Sequence, residues 1–290
     1  MKILITGASG YVGSAIGQAL EKENHELVSL SRDKNTKMNF KTEVITPKEL
    51  TSLKSVNAVV HLAGASIAGQ RWTDEYKKTL YSSRVDFTKN IIANLDASSL
   101  KSWVQASATG YYKTGQEALD EDSAKGNSFL ADLVRDWEEA SSHLKCRKVY
   151  QRMAMVLGKG SPAVEKMKPL FENRVGAVLG SGEQFMSWVH IDDVVTAFTN
   201  AINDSSYEGV YNLVAPNPVK NKEFTAAFAK AVDKKVILPP APKFALKLLY
   251  GEMSQVLLDS HRAVPMRLEE KGFSFQHVSV GKALGLSLKG

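Results

Sequence analysis

The residues Lys2-Ile3-Leu4-Ile5-Thr6-Gly7-Ala8-Ser9-Gly10-Tyr11-Val12-Gly13 decide the fold. A short apolar run, Lys2 to Thr6, ends in glycines spaced three apart. Val12, Ala15, Ile16, Ala19 and Leu20 then recur on one helical face. The pattern reads as a buried strand, a tight loop and a helix. Glycine permits the turn and lets backbone N–H groups approach a pyrophosphate, and the helix start at Tyr11 adds donors and a positive dipole end. A G-x-x-G-x-x-G loop alone is a weak signal; between a first strand and an amphipathic helix it predicts a dinucleotide site. The contacts expected there are Gly7, Ser9, Gly10, Tyr11, Val12 and Gly13.

Working outward, further strands are predicted at Glu26 to Ser31, Val56 to Leu62, Ser102 to Ala106 and Lys148 to Val156. Helices are predicted at Thr73 to Asn94 and Ser128 to His143. Strands alternating with helices imply parallel strands joined by right-handed crossovers, so the fold class is α/β, a doubly wound parallel sheet. After about residue 157 the rhythm loosens at Gly158, Gly160, Gly176, Gly180 and Gly182. Helical faces return at Val194 to Ile202 and Phe224 to Val232, with Asp192 and Asn221 as expected N-caps. Leu238-Pro239-Pro240-Ala241-Pro242 sets off a last small segment. The expected division is a core over 1–157, with further core elements within 184–215, and a smaller C-terminal substrate-binding lobe over most of 158–290.

Composition narrows the function. Hydrophobic residues are 43% of the 290 and charged residues 23%, the balance of a globular domain. Ile3 to Leu20 is free of charge, but four glycines, two serines, a threonine and a glutamine make it a poor membrane helix. The single Cys146 rules out an intrachain disulfide and zinc sites built on several cysteines, so a cytoplasmic setting is expected. The net charge of +6 is carried by residues 215–290, with 12 basic and 6 acidic side chains. Those lysines are scattered between apolar residues without aromatic interleaving. They read as a solvated face or as steering for an anionic substrate, not as a nucleic-acid surface.

The end of the second strand selects the dinucleotide. An acid there holds the ribose hydroxyls of NAD(H), and a base accommodates the 2′-phosphate of NADP(H). Here Ser31-Arg32 comes first and Asp33 follows. A guanidinium matches phosphate geometry and keeps its charge. NADP(H) is therefore favoured over NAD(H), with Asp33 on the ribose as the alternative.

Thr6 to Gly13 resembles the cofactor fingerprint of the extended short-chain dehydrogenases, the NAD(P)-dependent epimerase/dehydratase family. His61-Leu62-Ala63-Gly64 is similar to that family's fourth strand, which implies that Leu62, Ala63 and Gly64 lie along the cofactor. Ser187 to Val194 (SWVHIDDV) and Gly209 to Leu213 (GVYNL) resemble its late helix entry and the following strand. An atypical branch, named only for epimerase resemblance, is similar at Arg71-Trp72-Thr73, Ser83-Arg84, Ser107-Ala108-Thr109-Gly110-Tyr111-Tyr112 and Trp137-Glu138. Its C-terminal extension is matched by Pro265 to Leu268 and Gly272 to Phe275. The resemblance implies a Rossmann core, a nicotinamide cofactor, a small-molecule substrate and pairing as a homodimer.

The family's proton relay is a tyrosine with a lysine four residues later. None of the nine tyrosines passes that test. If Glu138 matches the family's following glutamate, the tyrosine position is Leu130 and the lysine position Val134; a shift of one gives Ala131 and Arg135. Ser107 remains as the expected orienting serine. Tyr111 is the provisional proton donor, and Tyr112 a substrate contact, with packing as the alternative for both. Arg84 is expected at cofactor phosphate or ribose, or else in a structural ion pair. Arg71 and Trp72 are expected as a lid or substrate contact, or else as loop anchors. His190 and Asp192 lack a third metal ligand at a sensible spacing, so no metal is expected. Two readings follow: an NADP(H)-dependent oxidoreductase or epimerase-like enzyme on a small, anionic carbonyl or hydroxyl compound, and a non-catalytic NADP(H)-binding redox sensor or scaffold.

Overall fold

The computed structural model describes residues 1–289. Seven strands form one parallel sheet: β1 (Lys2–Thr6), β2 (Glu26–Leu30), β3 (Glu43–Ile45), β4 (Ala58–His61), β5 (Ser102–Ala108), β6 (Arg147–Met153) and β7 (Gly209–Leu213). Their order is β7-β6-β5-β4-β1-β2-β3. From β1 the chain runs outward to β3, then returns to β4 on the other side and runs outward again. The order thus reverses beside β1, and the carboxyl ends of β1 and β4 flank the crevice where such sheets bind ligands.

Alternation along the strands separates two buried faces. Ile3, Ile5, Ala58 and Val60 meet Ile16 and Leu20 of helix α1 (Tyr11–Lys22), and Phe198 and Ile202 from later in the chain join the same cluster. Leu4, Val28, Val59 and Trp103 pack with Leu50, Ile91 and Leu95 on the other side.

The helix expected over 73–94 is present in three parts. Thr73 caps α2 (Asp74–Tyr81) by accepting the N–H of Tyr76. One π turn follows at Ser82–Asp86, then α3 (Phe87–Asn94). Helix α4 (Phe129–Glu139) is shorter than expected and is capped by Ser128. The strand expected over 148–156 breaks at Ala154: β6 stays in the sheet, while Met155–Leu157 pairs with Trp188–His190.

Two caps differ from expectation. Helix α6 (Ile191–Asn203) is capped by His190, whose Nδ1 accepts the Asp192 N–H, so Asp192 lies inside its first turn. Helix α7 (Asn221–Ala231) is capped at Lys220. Asn221 is buried, and its side-chain carbonyl accepts the N–H of Leu179. Helix α5 (Pro162–Glu172), α7 and the C-terminal helix Val280–Leu288 share a smaller core of Val164, Phe171, Phe224, Phe228, Ala283 and Leu284.

Arg147, at the start of β6, closes the end of α6. Its Nη1 donates to the carbonyls of Ala201 (2.7 Å) and Tyr207 (2.6 Å). Arg147→Met should lower the unfolding free energy by about 2 kcal/mol, the size of lost charged hydrogen bonds, read as a lower urea midpoint at unchanged m-value.

Candidate active site at the carboxyl edge of the sheet

The glycine loop lies at the reversal point. Gly7 has φ +69°, and a Cβ there would come within 3.0 Å of the Leu62–Ala63 backbone. On Gly13 it would meet the Gly7 carbonyl oxygen at 2.2 Å. Gly10 donates to that same carbonyl at 3.0 Å. As N-cap of α1 Gly10 offers no side-chain acceptor, and the first turn carries no acid. The N–H groups there face a cleft of about 340 Å³ lined by Gly7, Gly10, Tyr11, Val12, Gly13 and Leu62, with Val156 and Ser161 to Ala163 opposite. Ser9 is exposed at its edge.

A buried relay fixes the floor. Thr6 Oγ1 accepts the N–H groups of Leu62 (3.1 Å) and Ala63 (3.2 Å), so its own proton goes to Nδ1 of His61 at 2.8 Å. His61 Nε2 then donates to Thr88 Oγ1 (2.8 Å), which donates to the Arg84 carbonyl (2.6 Å). Burial, assisted by the Arg84 charge, pushes the His61 pKa down to about 3, so the ring is neutral in the fold.

The π turn grips the loop after β4. Ser83 Oγ accepts the Ala65 N–H at 3.0 Å, and Arg84 Nη2 donates to the Ala65 carbonyl at 2.9 Å. Arg84 also packs on the Trp137 ring and lies directly under Gly64. It is buried, and burial lowers its pKa to about 10. The expected reach to cofactor phosphate or ribose is thus replaced by a grip on backbone carbonyls, and the structural alternative of an ion pair is not formed among the described residues either.

At the end of β2, Ser31 Oγ pairs with Thr36 Oγ1 (2.7 Å). Asp33 is engaged in its own turn, its carboxylate accepting the Asn35 N–H at 2.9 Å. Arg32 is exposed and makes no hydrogen bond or ion pair among the described residues.

The expected catalytic residues part company. In β5, strand alternation puts Trp103, Gln105 and Ser107 on one face. Ser107 is 4% exposed, and its hydroxyl donates to Glu138 Oε1 at 2.5 Å. It points between β5 and α4, not into the cleft, so the expected substrate-orienting role is corrected to an anchor. Arg152, opposite Ser107 in register, donates to both Glu138 oxygens (2.9 and 2.8 Å) and to the Tyr112 hydroxyl (3.0 Å). Burial opposes the Arg152 charge, but the Glu138 hydrogen bonds and charge outweigh it and hold its pKa above the usual range.

Tyr112 is 1% exposed. Its hydroxyl donates to Asn212 Oδ1 at 2.7 Å, and burial raises its pKa to about 12. It is a strut, not the expected substrate contact. Tyr111 is only half-buried, makes no side-chain hydrogen bond among the described residues, and has the Arg152 guanidinium 3.5 Å from its ring centre. Trp72 is 6% exposed, donates to the Ile67 carbonyl and packs edge-on against Phe129, so it anchors its loop. Arg71 is exposed, and its guanidinium approaches Gly251, where the C-terminal lobe reaches the loop. An ion pair between Lys77 and Glu252 supports that junction. Three of the twelve C-terminal basic residues lie elsewhere: Lys230, Lys234 and Lys235 line a separate cleft of about 810 Å³ with Arg174.

The NAD dependent epimerase/dehydratase family profile matches residues 3–213, and a domain of unknown function, DUF1731, matches 241–285. The chain belongs to the NAD-dependent epimerase/dehydratase family. It is 35% identical to the epimerase family protein ML0860 of Mycobacterium leprae, over 97% of this chain and 94% of that protein. It is 34% identical to the chloroplastic SDR39U1 homolog of Arabidopsis thaliana, over 98% of this chain and 86% of that one. The crystal structure of human epimerase family protein SDR39U1 (isoform 2) with NADPH superposes with a TM-score of 0.90 at 30% identity, covering 98% of both chains.

The positions that the resemblance aligns with the family's tyrosine and lysine lie on α4. Glu138 bonds Ser107, so Val134 and Leu130, one and two turns earlier, share the face toward β5. Val134 is buried, and Leu130 lies against Gly110. In the register shifted by one, the positions are Ala131 and Arg135, so neither register pairs a tyrosine with a lysine.

Sequence reading missed Arg152, whose signal was an arginine inside a buried strand, and Asn212, which donates to the Leu119 and Val264 carbonyls. It also missed His277, which joins His190 and Asp192 from 85 residues beyond Asp192.

Two outcomes follow. Arg152→Met leaves Glu138 buried beside no cation and should cost about 3 kcal/mol in denaturant unfolding. His61 has a folded pKa far below its unfolded value of about 6.5, so its contribution is complete above that pH and is lost as pH falls toward 3. Between pH 6.5 and 5 the wild type should lose about 2 kcal/mol that His61→Gln does not; parallel stability–pH curves would refute the neutral relay.

Proposed function

We propose that this chain binds NADP(H) and transfers hydride between the nicotinamide and a small, anionic carbonyl or hydroxyl compound, with Tyr111 handling the proton. The observation that carries the cofactor choice is the contrast at the end of β2. Arg32 is exposed and unengaged, whereas the Asp33 carboxylate already accepts a backbone N–H. The NADPH in the human relative's structure supports the same choice.

Tyr111 is favoured over Tyr112 because the Tyr112 hydroxyl is fully engaged. The Arg152 guanidinium, 3.5 Å from the Tyr111 ring centre, holds that ring in place while leaving its hydroxyl unengaged among the described residues. Gly7 and the α1 N-terminus would hold the pyrophosphate. Leu62 to Gly64 would lie along the cofactor, held from beneath by Ser83 and Arg84. Arg71 is the exposed cation at the junction with the C-terminal lobe, suited to an anionic substrate.

The second reading is an NADP(H)-binding sensor without turnover. It is favoured by the aliphatic Leu130 and Val134 and by the inward turn of Ser107.

Titration with NADPH and NADH, followed by nicotinamide fluorescence, tests the cofactor. Arg32→Ala should weaken NADPH at least tenfold, as loss of a charged hydrogen bond to phosphate implies, and leave NADH nearly unchanged. Equal weakening of both would remove the Arg32 argument. Tyr111→Phe should then abolish NADPH oxidation against a panel of sugar nucleotides and phosphorylated ketones while cofactor affinity stays. Tight NADPH binding without turnover of any panel member by the wild type would favour the sensor.

A further inference from the structure

Three metal-ligating side chains converge outside the cofactor cleft. His190 and Asp192 stand at the start of α6, and His277 comes from the C-terminal extension. Asp192 Oδ2 lies 3.1 Å from His190 Nδ1 and 2.9 Å from His277 Nε2. The three ligand atoms all lie within 4.8 Å of one another, and the two imidazole centres are 3.8 Å apart.

The convergence is built into the fold. Asp193, fully buried, accepts the N–H groups of Gln276 (2.7 Å) and His277 (3.3 Å) and so fixes the C-terminal segment over the first turn of α6. Gln276 adds a bond to Thr196 (3.3 Å). His190 is itself buried beneath this segment.

One Asp192 oxygen faces both imidazoles, 3.1 Å from His190 Nδ1 and 2.9 Å from His277 Nε2. A positive centre, a ring proton or a metal ion, holds a carboxylate against two imidazole nitrogens in this way. A metal ion on His190 Nδ1 would replace its 3.3 Å contact with the Asp192 N–H. Ligands about 2.1 Å from one tetrahedral ion stand about 3.4 Å apart, so the two Asp192 contacts would open by a few tenths of an ångström to admit one.

We propose that His190, Asp192 and His277 form a binding site for one divalent transition-metal ion of the zinc class, with a fourth position open to water. The ion would staple the C-terminal extension to the core. It would also neutralise Asp192, whose charge acts on Tyr11 at the edge of the cofactor cleft. The Tyr11 hydroxyl is buried there against Gly158, without a hydrogen-bond partner among the described residues. The site does not depend on the cofactor reading.

The test is zinc chloride titration of the full, EDTA-stripped and dialysed chain against a chromophoric chelator, with cobalt as a spectroscopic probe. The expected result is one equivalent bound at micromolar or tighter affinity, visible d–d absorption with cobalt, and a Tm raised by zinc but not by magnesium. His277→Ala and Asp192→Asn should each weaken binding at least tenfold. Asp192 is exposed, so its variant serves should His277→Ala fail to fold. No stoichiometric binding, or unchanged binding in a folded Asp192→Asn protein, would overturn the site and leave the three groups sharing only a proton.

Discussion

The architecture of the crevice depends on one neutral imidazole. His61 ends β4 with no exposure to solvent, and both its nitrogens are used: one accepts from Thr6 of β1, the other donates to Thr88 of α3. A charged ring could not accept from Thr6, and Thr6 could not then receive the Leu62 and Ala63 N–H groups in the same arrangement. Those two N–H groups set the height of the chain beside Gly7, where the backbones approach too closely for any Cβ. The strand pair that brackets the reversal point is thereby locked to the helix behind it. The π turn extends the lock by one loop, since Ser83 and Arg84 hold both polar atoms of the Ala65 peptide. An unbroken α-helix would carry those two side chains past Ala65, which is a physical reason for the extra residue in the turn.

The opposite wall of the site is organised around a buried ion pair. Arg152 and Glu138 would be expensive to bury alone, and they are accommodated because nearly every donor and acceptor is satisfied. Glu138 also accepts Ser107, and Arg152 also donates to Tyr112, which continues to Asn212. Asn212 then donates to carbonyls on the segment before α4 and on the C-terminal extension. The chain of bonds aligns β5, β6, β7 and α4 and leaves the Tyr111 hydroxyl outside it. The network thus builds a rigid support under the Tyr111 phenol, which makes no side-chain hydrogen bond among the described residues.

How much of this was legible follows from the range of the interaction that decides each feature. The β1 loop, the parallel sheet and the helical face of α6 rest on local apolar patterns, and these were readable, whereas β7 was marked only by the family resemblance. Edge strand β3 has three residues and no alternation to detect. The π turn at Ser82–Asp86 leaves the helical pattern nearly intact, so it was invisible. Ser107 was placed correctly at a strand end but given the wrong direction. A single step of strand alternation separates facing the cleft from facing α4, and the partner that settles it, Glu138, lies 31 residues on. Arg84, Trp72 and Tyr112 were singled out for polar groups that the fold then satisfies internally. Sequence marks such residues as important without saying whether the bond goes to a ligand or to the chain itself.

The C-terminal extension shows the same principle on the largest scale. Read alone, residues past 240 are a proline-marked basic tail. In the fold they stitch into the core through polar atoms. The Ser260 N–H donates to the Thr114 hydroxyl, and its carbonyl accepts the Gly115 N–H. Ala263 donates to Ser187, Arg267 bonds Asp122 and the Val210 carbonyl, and Gln276 and His277 close on Asp193. Several of these partners flank the loop that carries Tyr111 and Tyr112. The position of the free phenol is therefore set from two sides, by Arg152 beneath it and by the extension beside it. A segment that looks separable in sequence is in physical terms part of the site's frame, bonded on one side to the loop after Tyr111 and Tyr112 and on the other to the first turn of α6.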